Sequence, residues 1–219
     1  MFIKRGDFMK LYIRNNSHRM KSIKIISSVS EDVIYKKKFT IIAGVNGVGK
    51  STFVKHLKTT HSELGHIIDP DALAKEHGGN LKGGKEALKD IEYCINNGIQ
   101  FTEETTLSGR HIIKVIEQCK ANGYTVNMIY IGLDSPEESI NRIANRVKHG
   151  GHDIPEEIVR RRYANIYKAL SDVLPLCDTA EFYDNENGPE KIATYSNNVI
   201  TQLVDEYPLW MQQFVDYIT

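Results

Sequence analysis

Phe39-Thr40-Ile41-Ile42-Ala43-Gly44-Val45-Asn46-Gly47-Val48-Gly49-Lys50-Ser51-Thr52 decides how this chain folds. Phe39 to Ala43 is a short apolar run closed by glycine, the pattern of a buried strand. From Lys50 the period changes, and Phe53, Val54 and Leu57 share one helical face. Between strand and helix stands G-x-x-x-x-G-K-[ST]. In that context the pattern cradles a phosphate chain, because only glycine lets backbone N–H groups come so close. The helix N-terminus adds a positive field. Gly44, Asn46, Gly47, Val48, Gly49, Lys50, Ser51 and Thr52 are the expected nucleotide-binding residues. Lys50 is expected to reach the β- and γ-phosphates, and the Ser51 hydroxyl to ligate Mg²⁺. A glycine turn that joins strand to helix without a ligand is the alternative.

The 219 residues, 41% of them hydrophobic, suffice for one domain with appendages. Lys/Arg and Asp/Glu balance at 28 each, so no overall basic field points to nucleic acid. The charge is uneven: residues 1–38 hold ten Lys/Arg and three Asp/Glu, net +7, which leaves −7 for the remainder. No apolar run approaches a membrane span, and the first residues show neither an apolar core nor a cleavage pattern of a signal peptide. Cys94, Cys119 and Cys177 are odd in number and form no C-x-x-C, which suits buried thiols in a reducing cytoplasm. No histidines pair at metal-ligand spacing, so no metal site of protein ligands alone is expected.

Residues 1–38 read as a basic N-terminal extension, either a loosely attached segment or an interaction arm. Leu11-Tyr12-Ile13 and Ile23-Lys24-Ile25-Ile26 are its short strand candidates. After the glycine loop and its helix, Gly65-His66-Ile67-Ile68 forms a strand ending at Asp69-Pro70-Asp71. Ligands of a parallel α/β sheet sit at that carboxyl end. Asp71 either caps a helix over 72–76 or serves a site. Ala87, Leu88, Ile91, Cys94 and Ile95 mark a helical face that ends at Asn97-Gly98. Residues 99–104 form the next strand, which runs into Thr105-Thr106-Leu107-Ser108-Gly109-Arg110. Ser108 alone satisfies a helix cap there; two Glu, two Thr and an Arg exceed what a cap needs. Tyr124 to Leu133 is the most strand-like segment. Asp134-Ser135-Pro136-Glu137-Glu138 is a helix start, and Ile140, Ile143 and Val147 its apolar face. Lys148 to Asp153 is a Gly-rich loop, and Pro155 opens a second helix with core face Val159, Tyr163, Ile166 and Leu170. Arg160-Arg161-Arg162 either forms a solvated face paired with Glu156 and Glu157 or belongs to a lid that closes over phosphates. Residues 180–184 form the last core strand. Ile192 to Tyr195 and Val199 to Val204 flank Asn197-Asn198 as a hairpin, and Pro208 opens a terminal helix docked by Leu209, Trp210 and Phe214.

Five motifs in order, GVNGVGKST, IIDPDALAKE, FTEETTLSGR, YIGLDSPEESINRIANRVKHGGHDIPEEIVRRRY and YDN, resemble a zeta-toxin-type P-loop kinase. The compact branch often labelled predicted ABC-type ATPase is the more similar one. LSGR lacks the Gly-Gln of a transporter signature, and no N-K-x-D for guanine is present. The resemblance covers residues 39–187. It implies an α/β, P-loop kinase-like three-layer fold with a parallel five-stranded core sheet, a helical lid at about 146–162 and a C-terminal β-hairpin, with residues 188–219 packed on the same domain. Zeta toxins phosphorylate a sugar hydroxyl of UDP-N-acetylglucosamine with ATP, and a small partner protein neutralises them. The resemblance therefore implies ATP and Mg²⁺ as cofactors, a small-molecule acceptor, an antitoxin partner and a cytoplasmic location, without nucleic acid or membrane.

Residue by residue, Lys50 takes the P-loop lysine role and Asp71 that of the catalytic carboxylate. Glu104, Thr105, Thr106, Ser108 and Arg110 fall in the substrate segment, and Arg146 matches the first lid arginine. Arg161 or Arg162 matches the second, with His152 also close in a gap-free alignment. The substrate loops are shorter than in zeta toxins, which is a departure. Two other readings accompany the sugar-nucleotide kinase: a kinase for another hydroxyl metabolite or antibiotic, and a nucleotide-dependent protein-binding switch.

Overall fold

The computed structural model describes residues 11–13, 21–23, 37–60 and 64–219. Residues 1–36 and 37–219 are separate units. In the first, β1 (Leu11–Ile13) pairs antiparallel with β2 (Lys21–Ile23). The strand expected over 23–26 thus starts earlier, at Lys21, and 24–26 fall outside the described residues.

The second unit is built on one sheet. β3 (Lys38–Ala43) is its central strand, flanked in parallel by β5 (Phe101–Thr105) and β6 (Thr125–Gly132). β4 (His66–Ile68) extends it beyond β5, and β7 (Thr179–Asp184) beyond β6, both parallel. These are the five parallel strands of the expected core. The sheet does not stop there: β8 (Glu190–Ser196) adds antiparallel to β7, and β9 (Val199–Gln202) to β8. The C-terminal hairpin therefore continues the core sheet to seven strands, in the order β4-β5-β3-β6-β7-β8-β9. Its turn residues Asn197 and Asn198 both hold positive φ, 52° and 63°, the conformation that matches strand twist in a tight hairpin.

Among the described residues seven α-helices surround the sheet: α1 (Lys50–Thr60), α2 (Pro70–His77), α3 (Asn80–Asn97), α4 (His111–Ala121), α5 (Pro136–Lys148), α6 (Glu156–Val173) and α7 (Leu209–Ile218). Ser135 starts α5 by accepting from the Glu138 N–H, as the Ser-Pro-Glu-Glu sequence requires. Gly98 ends α3 in the left-handed region. The core runs unbroken from α1 to α7 and includes Phe39, Ile41, Phe101, Ile116, Val126, Phe182 and Phe214. Phe39 stacks on Phe101 at 4.5 Å, and Tyr124 closes on Phe101 at 5.9 Å. Burial of each such ring contributes about 2–3 kcal/mol, which fixes the register of β3 against β5.

Three apolar residues escape the faces that their spacing gave them. Leu88 is 50% exposed on α3 and Val147 38% exposed on α5; Leu209 is exposed at the start of α7, where Met211 is buried instead. Spacing places a residue on a stripe, but the width of the covered stripe depends on the neighbouring element. Trp210 anchors α7: its N–H donates to Asp134 and its indole to Asp184 Oδ1, at 3.0 and 2.9 Å. The three cysteines are buried and unbridged. Among the described residues no helix is long and apolar enough to cross a membrane, and no cluster of three or more His, Cys, Asp or Glu is placed to hold a metal ion.

Candidate active site

The carboxyl ends of β3, β4 and β5 open into a cavity of about 740 Å³. Its floor is the loop between β3 and α1. Val45 and Val48 are buried beneath that loop, so two of its non-glycine side chains anchor it to the core. Gly47 and Gly49 hold φ of 86° and 97°. A Cβ on Gly47 would lie 2.5 Å from the Ser139 carbonyl oxygen of α5, and one on Gly49 2.5 Å from Asn185 Nδ2. No other residue fits either position. Asn185 Nδ2 in turn donates to the Val48 carbonyl at 2.7 Å, so the segment after β7 holds the loop in shape. Asn46, Gly47, Gly49, Lys50, Ser51 and Thr52 face the cavity; Gly44 and Val48 support the loop from behind.

Lys50 Nζ donates to the carbonyls of Gly44 and Val45, at 2.8 and 3.1 Å. Burial lowers its pKa to about 8, against the pull of Glu104, Asp71 and Asp69. Glu104, 7% exposed near the end of β5, accepts from the Ser51 hydroxyl at 2.9 Å. Burial and the Asp69 carboxylate raise its pKa to about 7. Parallel pairing explains the meeting: Ile42 of β3 is in register with Glu104 of β5, so this acid stands beside the start of α1.

The shift of Glu104 has a measurable consequence. Between about pH 4.5 and 7 the folded chain binds more protons at Glu104 than the unfolded chain does, so stability falls as pH rises through that window. Glu104→Gln removes this loss and can still accept from Ser51. Chemical denaturation across pH 4.5–8 is expected to show the variant gaining on the wild type by about 1–3 kcal/mol as pH rises. A difference that stays flat with pH would contradict the buried, acid-crowded setting of this carboxyl.

Asp69, not Asp71, is the cap of α2. Its Oδ1 accepts from the N–H groups of Asp71 and Ala72, at 2.9 and 3.2 Å, and the helix begins at Pro70 rather than at 72. The physical reason is the fixed φ of proline, which suits the first helical position and pushes the cap one place back. Asp71 stands in the first turn, on the cavity wall, free of capping duty.

Helices α5 and α6 form the other wall, through Arg142, Ile143, Arg146 and Arg162. Arg162, half-buried on α6, donates to the Asn46 side chain of the phosphate loop. Burial weighs against its charge and Asp71 supports it. Arg146 lines the cavity and donates to the His152 carbonyl, so His152 contributes its backbone while its ring lies on an exposed residue. Arg142 donates to Glu138 and to the Glu186 carbonyl, at 2.7 and 3.0 Å. Arg160 pairs with Glu137 and Glu156, at 2.6 and 2.7 Å, as a solvated helix face does. Arg161 is exposed and does not line the cavity, which separates it from Arg162 among the expected site residues.

The segment after β5 supplies a third wall. Thr105, Thr106 and Ser108 line the cavity. Thr105 Oγ1 accepts from the Leu107 N–H at 3.1 Å, and the hydroxyls of Thr106 and Ser108 lie 2.9 Å apart. Leu107 is buried with φ of 56°, a position that a β-branched or bulky residue rarely takes, so the turn is held against local preference by its seat in the core. Ser108 does not cap α4. Arg110 occupies the cap position without a side-chain cap bond, exposed and outside the cavity lining. Asp69, Glu103, His111, Arg142 and Asn185 also line the cavity, though none is among the site residues expected from the sequence. Two of them carried a signal in the sequence: Asn185 closes the YDN motif, and Glu103 belongs to the polar cluster at the end of its strand.

Comparison with known proteins fits this arrangement. The family model described as zeta toxin matches residues 86–199, just over half of the chain. An uncharacterized protein of Haemophilus influenzae is 35% identical over 137 residues, covering 59% of this chain and 95% of its own length. The structure from the PezAT chromosomal toxin–antitoxin system of Streptococcus pneumoniae superposes with a TM-score of 0.58 at 16% identity, over 83% of this chain and 84% of the other. An AvrRxo1-ORF1:-ORF2 structure with ATP superposes with a TM-score of 0.53 at 15% identity, over 76% and 60%. Identities this low speak for shared fold alone. The family match rests on more than half of the sequence, and with it the chain belongs to the zeta toxin family and is a P-loop phosphotransferase.

Proposed function

We propose that the chain transfers the γ-phosphoryl group of ATP to a hydroxyl of a small molecule, a UDP-amino-sugar of the UDP-N-acetylglucosamine type, as the toxin of a toxin–antitoxin pair. The observation that carries the reading is the convergence of Lys50, Ser51–Glu104, Asp71 and Arg162 on one cavity. A nucleotide switch has use for a phosphate loop and a metal-facing acid. It has no use for a second carboxylate, free of structural duty, across from the phosphates.

In this reading the γ-phosphate lies over Gly47 to Ser51, and Lys50 leaves the Gly44 and Val45 carbonyls to meet its oxygens. Arg162 and Arg146 approach from the opposite wall and spread the charge that develops on transfer. Asp71 accepts the proton of the attacking hydroxyl; the new O–P bond forms as the bond from the γ-phosphorus to the bridging oxygen breaks, and ADP leaves with that electron pair. Ser51 and Glu104 fit Mg²⁺: both offer hard oxygens at hydrogen-bond separation, and a carboxyl whose charge is disfavoured by burial and acidic neighbours is one that a cation would relieve. When bound, the ion would neutralise phosphate charge. Thr105, Thr106 and Ser108 are assigned to the acceptor. Residues 1–38 are read as an extension to a domain of 39–187, with 188–219 packed on it.

The PezAT protein comes from a chromosomal toxin–antitoxin system, and the AvrRxo1 structure pairs two gene products in the presence of ATP. These relatives in fold support ATP as donor and a protein antitoxin as partner. Mass spectrometry of products from ATP plus a panel of UDP-sugars and other hydroxyl metabolites tests the acceptor. A phosphorylated UDP-N-acetylglucosamine is the expected product; phosphorylation of another compound alone would redirect the reading to that acceptor.

The arginines separate in the same assay. Arg162→Ala is expected to lower kcat by about 10² or more, because it removes a charge at the phosphates. Arg161→Ala, on an exposed face, is expected to stay within about threefold of wild type. Equal losses in the two variants would mean that α6 turns a different face to the nucleotide.

A further inference from the structure

We propose that Glu103 and His111 form a specificity pair in the acceptor part of the cavity that holds a sugar hydroxyl next to the one that receives phosphate; this rests on the kinase reading above. Glu103 is only 2% exposed. Its partners across the sheet are Ile41 of β3 and Ile68 of β4, both buried and apolar, so neither neighbouring side chain offers it a hydrogen bond. A carboxylate in such a place carries a large desolvation cost unless both oxygens are met. One is: Oε1 lies 3.4 Å from His111 Nε2, in the first turn of α4. The other, Oε2, is buried and has no protein partner among the described residues.

Both residues line the cavity, as do Thr105, Thr106 and Ser108, which the reading above assigns to the acceptor. The hydrogen bond that His111 donates to Glu103 raises the His111 pKa, which favours a ring carrying protons on both nitrogens. The pair therefore offers one acceptor, Glu103 Oε2, and one donor, the second ring nitrogen of His111. A hydroxyl is donor and acceptor at once and matches both. A simple pin between β5 and α4 would need only the Oε1 contact and would leave Oε2 unexplained. A group that lacks the hydroxyl leaves a buried carboxylate oxygen unmet, which is the situation in which enzymes reject a substrate most strongly.

The test measures phosphoryl transfer from ATP to UDP-N-acetylglucosamine and to free hexoses, each beside its singly deoxygenated counterparts. Wild type is expected to prefer the full sugar over one particular deoxy analogue by about 10² or more in kcat/KM. Glu103→Gln and His111→Asn are expected to reduce that preference to under about tenfold, raising KM for the full sugar about tenfold or more while kcat falls by much less. KM for ATP is expected to hold. His111 is well exposed, so His111→Asn remains informative even where Glu103→Gln unfolds. Lowered thermal stability with unchanged acceptor KM in His111→Asn would make the pair a structural pin and overturn the inference. Transfer by wild type with equal use of every deoxy analogue would overturn it and leave the kinase reading standing. No transfer to any acceptor would remove the kinase reading and the inference together.

Discussion

Lys50→Ala is expected to abolish all but a trace of phosphoryl transfer, with a loss on the order of 10²–10³ in rate. The side chain stands at the head of α1 and touches the loop carbonyls of Gly44 and Val45, not the apolar core. Its removal takes away a cation whose burial already weighs against its charge. The fold should therefore survive, and thermal unfolding is expected near the wild-type midpoint. One further change follows from the coupling of the site: Glu104 loses a favourable neighbour, so its carboxyl should hold a proton to still higher pH. Steady-state kinetics beside a melting curve checks both halves. Wild-type turnover in this variant would contradict the phosphate-loop role of Lys50.

Asp71→Asn is expected to lower transfer by about 10² or more while leaving ATP affinity and stability near wild type. The helix that carries Asp71 is capped by Asp69 through two N–H groups, and Asn at the next-but-one position leaves both bonds in place. What disappears is a negative charge able to accept the proton of the attacking hydroxyl. ATP affinity depends chiefly on the loop from Gly44 to Thr52, whose backbone the substitution leaves in place, and Lys50 keeps Glu104 as its strongest opposite charge. Transfer that persists in Asp71→Asn would move the role of base to Glu104 or Asp69. A collapse of stability would instead make Asp71 a fold element.

Much of this was legible in the chain itself. A glycine loop between an apolar pentamer and an amphipathic helix has few other ways to fold, and it fixes β3, α1 and the site together. The five parallel strands were implied by the family resemblance that the five motifs carry, not by the pattern of any one strand. The limits are equally physical. Which of Asp69 and Asp71 caps α2 turns on the position of one proline. Which of three consecutive arginines meets the glycine loop turns on about 100° of rotation per residue around α6, and periodicity alone marks the buried stripe, not the rim beside it. Arg160 finds Glu137, Arg161 faces outward, and Arg162 meets Asn46. The burial of Glu103 between two apolar residues was out of reach, because both of its neighbours lie on strands distant in sequence. The hairpin was visible, but its junction with β7 was not, since antiparallel extension of a parallel sheet leaves no mark in the strand's own residues.

The fate of the γ-phosphate decides between kinase and switch. ATP labelled at that position, incubated with the protein and a cell-free metabolite extract, is expected to yield label in a small organic phosphate, at a rate well above that of inorganic phosphate release, and Asp71→Asn is expected to remove that product. Label recovered only as inorganic phosphate, slowly and equally in both proteins, would contradict transfer to a hydroxyl acceptor and leave an ATP-dependent switch.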